Sequence, residues 1–131
     1  MDNKLDKILA EISAGELIDK ITILEIKKIK INNTKKLEEV NKELTSLNYT
    51  FKKSIPDEPK IKSLIDKLKS INLRLWDIEN GKRLAEKNNN FDEKFIELSR
   101  SVYKNNDERS KIKLEINNIL GSNIKEVKSH Y

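Results

Sequence analysis

The amino-acid sequence predicts an all-α fold, an antiparallel bundle of about five helices that includes two or three long ones. Apolar residues recur at alternating spacings of three and four along most of the chain, which is the pattern of helices buried along one face. The 131 residues include only three Gly and two Pro, so few tight turns are available for a β-sandwich. We expect one domain over residues 1–131, with residues 122–131 forming an irregular tail.

The first two helices are predicted to form a hairpin. Ser13 and Glu16 have the spacing of a capping box, and the residues after them are apolar on most sides of a helical wheel. A helix of this kind is usually surrounded by neighbours, so we predict residues 14–32 to be the central helix. A short polar link at Asn32–Thr34 then predicts an antiparallel second helix. The apolar seam of this second helix consists of Leu37, Val40, Leu44, Leu47 and Phe51.

The third helix should begin near Pro59, because Pro56 and Pro59 disfavour helix in the residues before them and Pro suits a first turn. It is predicted to run to about Lys87, where Asn88–Asn90 forms a loop. Its apolar seam consists of Ile61, Leu64, Leu68, Ile71, Leu75 and Ile78.

Two shorter helices are predicted in the remainder. Asp92 is a good N-cap for the fourth helix. Asn105 and Asn106 are poor helix formers and good caps, so we predict that they end the fourth helix and begin a fifth. Gly121 is a good C-terminal stop for that fifth helix.

Charge and composition narrow the classes of function. The net charge is +5, but Lys alternates with Glu and Asp in nearly every helix, which indicates solvated faces and disfavours nucleic-acid binding. The chain has no Cys, which excludes disulfides and thiolate metal sites. It also has no apolar stretch long enough to span a membrane, and its N-terminus lacks the apolar core of a signal peptide. We therefore expect a cytoplasmic protein.

No motif of an enzyme stands out. Glu16 and Asp19 have the spacing of a carboxylate pair that could bind Mg²⁺, but no matching Glu-x-x-Asp lies on the inner face of a later helix. The single His, His130, is next to the C-terminus, and no Ser lies in the context of a nucleophile elbow. We predict neither a metal nor a cofactor, and the sequence leaves open whether the chain is an enzyme.

A set of polar and aromatic side chains falls inside or beside apolar faces on the helical wheels. It consists of Glu25, Asn72, Trp76, Glu79, Arg83, Arg100, Tyr103 and Arg109. Only four of the 27 basic residues are Arg, and three of those four belong to this set. Arg suits partly buried, bidentate pairing with carboxylate or phosphate, whereas Lys prefers a hydrated surface. We expect Glu25 and Glu79 to pair with these Arg residues inside the bundle.

These candidate site residues support two interpretations. In the first, Arg and Glu form a structural ion-pair network that fixes how the helices pack. In the second, they line a pocket for a small anionic ligand. We predict a helical-bundle binding or accessory protein with a partly buried Arg/Glu cluster. The alternative is a small all-α enzyme or binder acting on a nucleotide, a sugar nucleotide or a glycan precursor. The long seams would also allow a coiled-coil homodimer.

Two blocks of sequence carry a resemblance. The first is SAGELIDKITILEIK, residues 13–27, and the second begins at Leu75 and includes LWDIEN and FIELSRSVYKNNDERSKIKLEIN. Together they resemble an uncharacterised family of small bacterial and phage proteins, with blocks GEL-DK-TILEIK, LW-IE and ARSVY-ND-R. Ser99 stands where that family has Ala in the last block. Some members lie near genes of glycan or lipopolysaccharide biosynthesis, but the resemblance implies membership without an assigned activity.

Overall fold

The computed structural model describes residues 4–129 and contains four helices in that part of the chain. They are α1 (Ala14–Lys30), α2 (Thr34–Ser54), α3 (Pro59–Lys87) and α4 (Glu93–Leu120). Residues 4–129 contain no strand, so the predicted all-α class is confirmed. The predicted tail is described only as far as residue 129, and its last two residues lie outside the described range.

The predicted count of about five helices is one too many, because α4 continues through Asn105 and Asn106. Both side chains bond within the helix. The Asn105 Nδ2 donates to the Ser101 carbonyl at 2.8 Å, and the Asn106 Oδ1 accepts from the Arg109 Nη1 at 3.4 Å. Their intrinsic preference for caps is therefore overridden by packing of α4 along α3 and α1.

The local signals at the other helix ends are confirmed. The Ser13 side chain accepts from the amide of Glu16 at 3.1 Å, so it caps α1 as predicted. Asp92 accepts from the amide of Phe95 and caps α4 in the same way. Pro59 is the first residue of α3, and Gly121 has the left-handed conformation, with φ of 63°, that ends many helices.

The helix α1 contacts each of the other three helices, which confirms it as the central element. One face of α1 packs on α2 in a cluster formed by Leu17, Ile21, Leu24, Val40 and Leu44. Another face packs on α3 and α4 in a second cluster, formed by Ile18, Ile61, Leu64, Leu68, Ile71, Ile112 and Ile116. Burial of these side chains supplies the main driving force for the bundle.

The longer helices extend past this core. The buried residues of α3 all fall between Ile61 and Asn72, and those of α4 fall between Ile112 and Asn117. The rest of the α3–α4 pair is more exposed, because α1 has only 17 residues against 29 in α3 and 28 in α4. None of the helices in residues 4–129 is long and apolar enough to cross a membrane.

Candidate functional site

A buried carboxylate lies where α1 meets α3 and α4. Asp19 belongs to a face of α1 on which Gly15, Thr22 and Ile26 are also buried. Its side chain is only 1% exposed. An unpaired carboxylate in such a place would cost several kcal/mol, so the surrounding polar groups decide whether the fold tolerates it.

Arg109 of α4 is the main partner of Asp19. Its Nε donates to the Asp19 Oδ1 at 2.9 Å, and its Nη2 donates to the Asp19 Oδ2 in a short contact. This two-point geometry matches the planar guanidinium to the carboxylate. The hydrogen bond to Asp19 raises the pKa of Arg109 above its ordinary value, although burial acts in the opposite direction. The Arg109 side chain remains 28% exposed, so it connects the buried carboxylate to the surface.

Asn72 of α3 completes the surroundings of Asp19. The Asn72 Nδ2 donates to the Asp19 Oδ1 at 2.9 Å and to the Thr22 Oγ1 at 2.8 Å. The Thr22 hydroxyl in turn donates to the backbone oxygen of Asp19 at 2.8 Å. Asp19 and Thr22 of α1, Asn72 of α3 and Arg109 of α4 therefore form one hydrogen-bonded group. Among residues 4–129, no buried side-chain nitrogen or oxygen lacks a hydrogen-bond partner.

Lys113, one turn after Arg109 on α4, has three carboxylates around it. Its Nζ donates to the Glu16 Oε2 at 2.8 Å and to the Glu126 Oε2 at 2.9 Å, and it lies 3.8 Å from the Asp19 Oδ2. The Lys113 side chain is only 9% exposed. Burial lowers the pKa of Lys113, but the hydrogen bonds to Glu16 and Glu126 and the charge of Asp19 outweigh it, so the net pKa lies above the ordinary 10.5.

The start of α1 is held against α4 and the residues that follow α4 by direct hydrogen bonds. The amide of Gly15 donates to the Asn117 Oδ1 at 2.7 Å, and the amide of Ala14 donates to the Ser122 Oγ at 3.1 Å. Together with Ser13, these side chains satisfy amides that a helix N-terminus leaves without a partner. A Cβ at position 15 would lie 2.6 Å from the Lys113 backbone oxygen, so only Gly permits this approach. This contact places Glu16 and Asp19 within reach of Lys113.

We call the connected groups the Asp19 network. It consists of Glu16, Asp19, Thr22, Asn72, Arg109, Lys113 and Glu126. Of the eight candidate residues from the sequence, it contains Asn72 and Arg109.

The predicted pairing of Arg83, Arg100 and Arg109 with Glu25 and Glu79 inside the bundle is wrong. Arg109 pairs with Asp19 instead. The Arg83 Nε does donate to the Glu79 Oε1 at 3.0 Å, but this pair is on the surface, with side chains 77% and 52% exposed.

The remaining two predicted partners are also outside the interior. Glu25 is only partly buried and lies 3.8 Å from the Lys69 Nζ, and Arg100 is exposed. Arg83 and Arg100 belong to the parts of α3 and α4 outside their buried stretches.

Sequence reasoning did not place the other five members of the Asp19 network in the site, namely Glu16, Asp19, Thr22, Lys113 and Glu126. A signal for Asp19 exists, because Gly15, Asp19, Thr22 and Ile26 follow one another at spacings of four, three and four. On α4, Asn106, Arg109, Lys113 and Asn117 form a similar polar row. The predicted break at Asn105 and Asn106 hid the beginning of that row.

Two cavities border Arg109. The first, which we call the Trp76 cavity, has a volume of about 310 Å³ and lies between α1, α3 and α4. It is lined by Ile23, Ile26, Asn72, Leu75, Trp76, Glu79, Val102, Asn106 and Arg109, and so brings together four of the eight candidate residues. The second has a volume of about 570 Å³, and Tyr103 lines it beside residues that follow α4. Within the described range, no three His, Asp or Glu side chains form a group that could hold a metal ion.

The fold and the site define a small helical-bundle protein in which the buried Asp19 network joins α1, α3 and α4. The chain belongs to a family of unknown function, DUF6165, whose family model matches residues 8–131. The predicted membership of an uncharacterised domain family is thereby confirmed. No curated protein and no solved structure matches the chain.

Proposed function

We propose that the chain is a ligand-binding or accessory protein and that its small-molecule ligand occupies the Trp76 cavity. Binding sites of this kind are concave and largely apolar, with a few polar groups that fix orientation, and they start at about 300 Å³. The Trp76 cavity has a volume of about 310 Å³, apolar walls from Ile23, Ile26 and Leu75, and polar groups from α3 and α4.

The observation that carries this proposal is the position of Arg109. Arg109 lines the cavity while the buried Asp19 holds its Nε and Nη2. A side chain fixed in this way loses little conformational entropy when a ligand binds. Arg has five N–H donors, so two contacts to Asp19 and one to Asn106 leave two donors for acceptor oxygens of a ligand.

The lining of the cavity indicates the chemical class of the ligand. Trp76 offers a planar apolar surface, and Arg109 offers donors suited to phosphate or carboxylate oxygens. A small molecule that combines a ring with an anionic group fits both features, and nucleotides, sugar nucleotides and glycan precursors belong to that class. Because Asp19 already balances the charge of Arg109, we expect directed hydrogen bonds rather than long-range attraction to dominate, and salt to weaken binding only slightly.

Fluorescence titration of the full chain tests this proposal, because Trp76 is the only Trp in the sequence. The probes are a nucleoside monophosphate, a hexose phosphate and, for comparison, an uncharged hexose. We expect a saturable change with at least one anionic probe and none with the uncharged hexose. Native mass spectrometry of the purified protein adds a search for a co-purifying small molecule and reports whether the chain forms a homodimer.

A matched pair of variants tests whether the ligand binds beside Arg109. Asn106 lines both cavities that border Arg109, including the Trp76 cavity, whereas its neighbour Asn105 bonds to Ser101 and lines neither. We expect Asn106→Ala to weaken binding of the anionic probe by about tenfold, the equivalent of about 1.4 kcal/mol. Asn105→Ala should bind as the wild type does. Equal affinities in the two variants would place the ligand elsewhere, and the absence of any bound probe or co-purifying molecule would reject the proposal.

A further inference from the structure

The residues after α4 lie against that helix without forming a helix or strand of their own. We call residues 122–129 the C-terminal strap. The strap is anchored at its beginning by Ser122, whose hydroxyl accepts from the Ala14 amide and donates to the Ile124 carbonyl at 2.8 Å. Its later part carries little apolar burial, since Val127 is 85% exposed.

Two ion pairs hold the later part of the strap on α4. Glu126 accepts from the Lys113 Nζ at 2.9 Å, and the Lys128 Nζ lies 2.6 Å from an oxygen of Asp107. Glu126 and Asp107 each have side chains that are about half exposed. The partly exposed pair of Lys128 and Asp107 contributes about 1 kcal/mol or less. Lys113 is buried, but Glu16 and Asp19 stay beside it when Glu126 leaves, so we expect release of this part of the strap to cost little.

The three carboxylates around Lys113 are not equivalent. Glu16 and Asp19 belong to the first two turns of α1, which is fixed against α4 by its N-terminal hydrogen bonds. Glu126 belongs to the strap, and its side chain is 52% exposed. It is therefore the carboxylate that can leave Lys113 without any movement of the bundle.

Two cavities border the strap, with volumes of about 570 Å³ and about 650 Å³. Both are lined by Asp107, Ser110, Lys113, Glu126, Val127 and Lys128, so they adjoin the same part of the strap and of α4. Lifting the strap would join them into one trough along α4 with Lys113 at its floor. Lys111 and Lys125 also line the larger cavity, and without Glu126 the only acidic side chain in its lining would be Asp107.

We propose that Lys113 is an anion-binding site that Glu126 occupies in the unliganded chain, and that a phosphate or carboxylate group binds there by displacing the strap. Exchange of one anion for another preserves the charge balance around Lys113, which would otherwise lose a hydrogen-bonding partner. This site goes beyond the proposed function, because Lys113 does not line the Trp76 cavity. Its test is therefore independent of the Trp76 titration.

The test compares three variants of the full chain that each lose one negative charge. Glu126→Gln removes the negative charge that pairs with Lys113 and leaves a weaker amide acceptor, and Asp107→Asn weakens the contact with Lys128 and loosens the strap. Glu115→Gln changes an exposed side chain of α4 that lines neither cavity. Because the net charge rises equally in all three, general attraction of anions changes equally as well. Inorganic phosphate is the probe, and the backbone amide signal of Lys113 in NMR spectra reports binding at the site.

We expect Glu126→Gln to bind phosphate about tenfold more tightly than the wild type, the equivalent of about 1.4 kcal/mol. Asp107→Asn should give a smaller gain, because the strap still competes but is held by one ion pair fewer. Glu115→Gln should bind as the wild type does. Equal affinity in Glu126→Gln and Glu115→Gln, or phosphate binding that leaves the Lys113 signal unchanged, would overturn the proposal. If Glu126→Gln did not fold, the comparison of Asp107→Asn with Glu115→Gln would decide in the same way.

Discussion

Replacing Gly15 by Ala would add a methyl group where the start of α1 meets α4. The new Cβ would lie 2.6 Å from the Lys113 backbone oxygen and 3.0 Å from the Asn117 Oδ1. A backbone oxygen cannot rotate aside as a side chain can, so α1 would have to move away from α4. That movement stretches the hydrogen bond between the Gly15 amide and Asn117, now 2.7 Å long. Overpacking typically costs about 1–3 kcal/mol and a weakened hydrogen bond about 1 kcal/mol more, so we expect a loss of about 2–4 kcal/mol.

Urea unfolding followed by circular dichroism measures this loss, and Gly81→Ala is the matched control. A Cβ at position 81 would lie 3.1 Å from the Leu98 Cδ1, the end of a flexible side chain, and Ala is favoured over Gly within a helix by about 1 kcal/mol. We therefore expect Gly81→Ala to stay within about 1 kcal/mol of the wild type. If Gly15→Ala were as stable as Gly81→Ala, the close approach of α1 to α4 would be refuted.

Two further predictions concern the polar row of α4. The first is that Asn117→Ala removes the acceptor of the buried Gly15 amide, which costs about 1–3 kcal/mol and should lower the midpoint of urea unfolding. An unchanged midpoint would argue against this contact. The second prediction uses Lys113→Met to test the pH dependence of stability. The folded-state pKa of Lys113 is raised above 10.5, so its ion pairs contribute fully to the free energy of unfolding below pH 10.5. This contribution is lost as the pH rises through the folded-state pKa. The difference in unfolding free energy between the wild type and Lys113→Met should hold from neutral pH to near 10.5 and shrink above it. Shrinkage that began near neutral pH would contradict the raised pKa.

The fold was largely predictable because most helix ends depend on local chemistry. Ser13, Pro59, Asp92 and Gly121 act within one turn of the chain, so their residue types alone mark the boundaries. The prediction of a helix break at Asn105 is wrong for a reason that is partly local. The side-chain amide of Asn105 donates to the Ser101 carbonyl one turn earlier in the helix. The gain from packing α4 on two neighbouring helices also exceeds the small intrinsic penalty of Asn in a helix.

The site was predictable only in part, because wheel positions show which face is apolar but not how far a neighbouring helix extends. Asn72 and Arg109 were identified as polar groups on inner faces, and both contact Asp19. Arg83 fits the same rule, yet it lies beyond the buried stretch of α3 and its side chain is 77% exposed. Lys113 was overlooked because Lys usually remains hydrated, and only the approach of α1 explains its burial.

The central claim is that the ion pair between Asp19 and Arg109 joins α1 to α4 in the interior of the bundle. A double-mutant cycle with Asp19→Asn and Arg109→Gln tests this claim most directly. Arg109→Gln leaves the buried Asp19 with only the more distant charge of Lys113, and Asp19→Asn leaves the partly buried Arg109 without its carboxylate. We expect each single change to cost up to about 3 kcal/mol. The double variant removes both charges, so its loss should be smaller than the sum of the single losses by about 2 kcal/mol. Losses that add to within about 0.5 kcal/mol would contradict the claim.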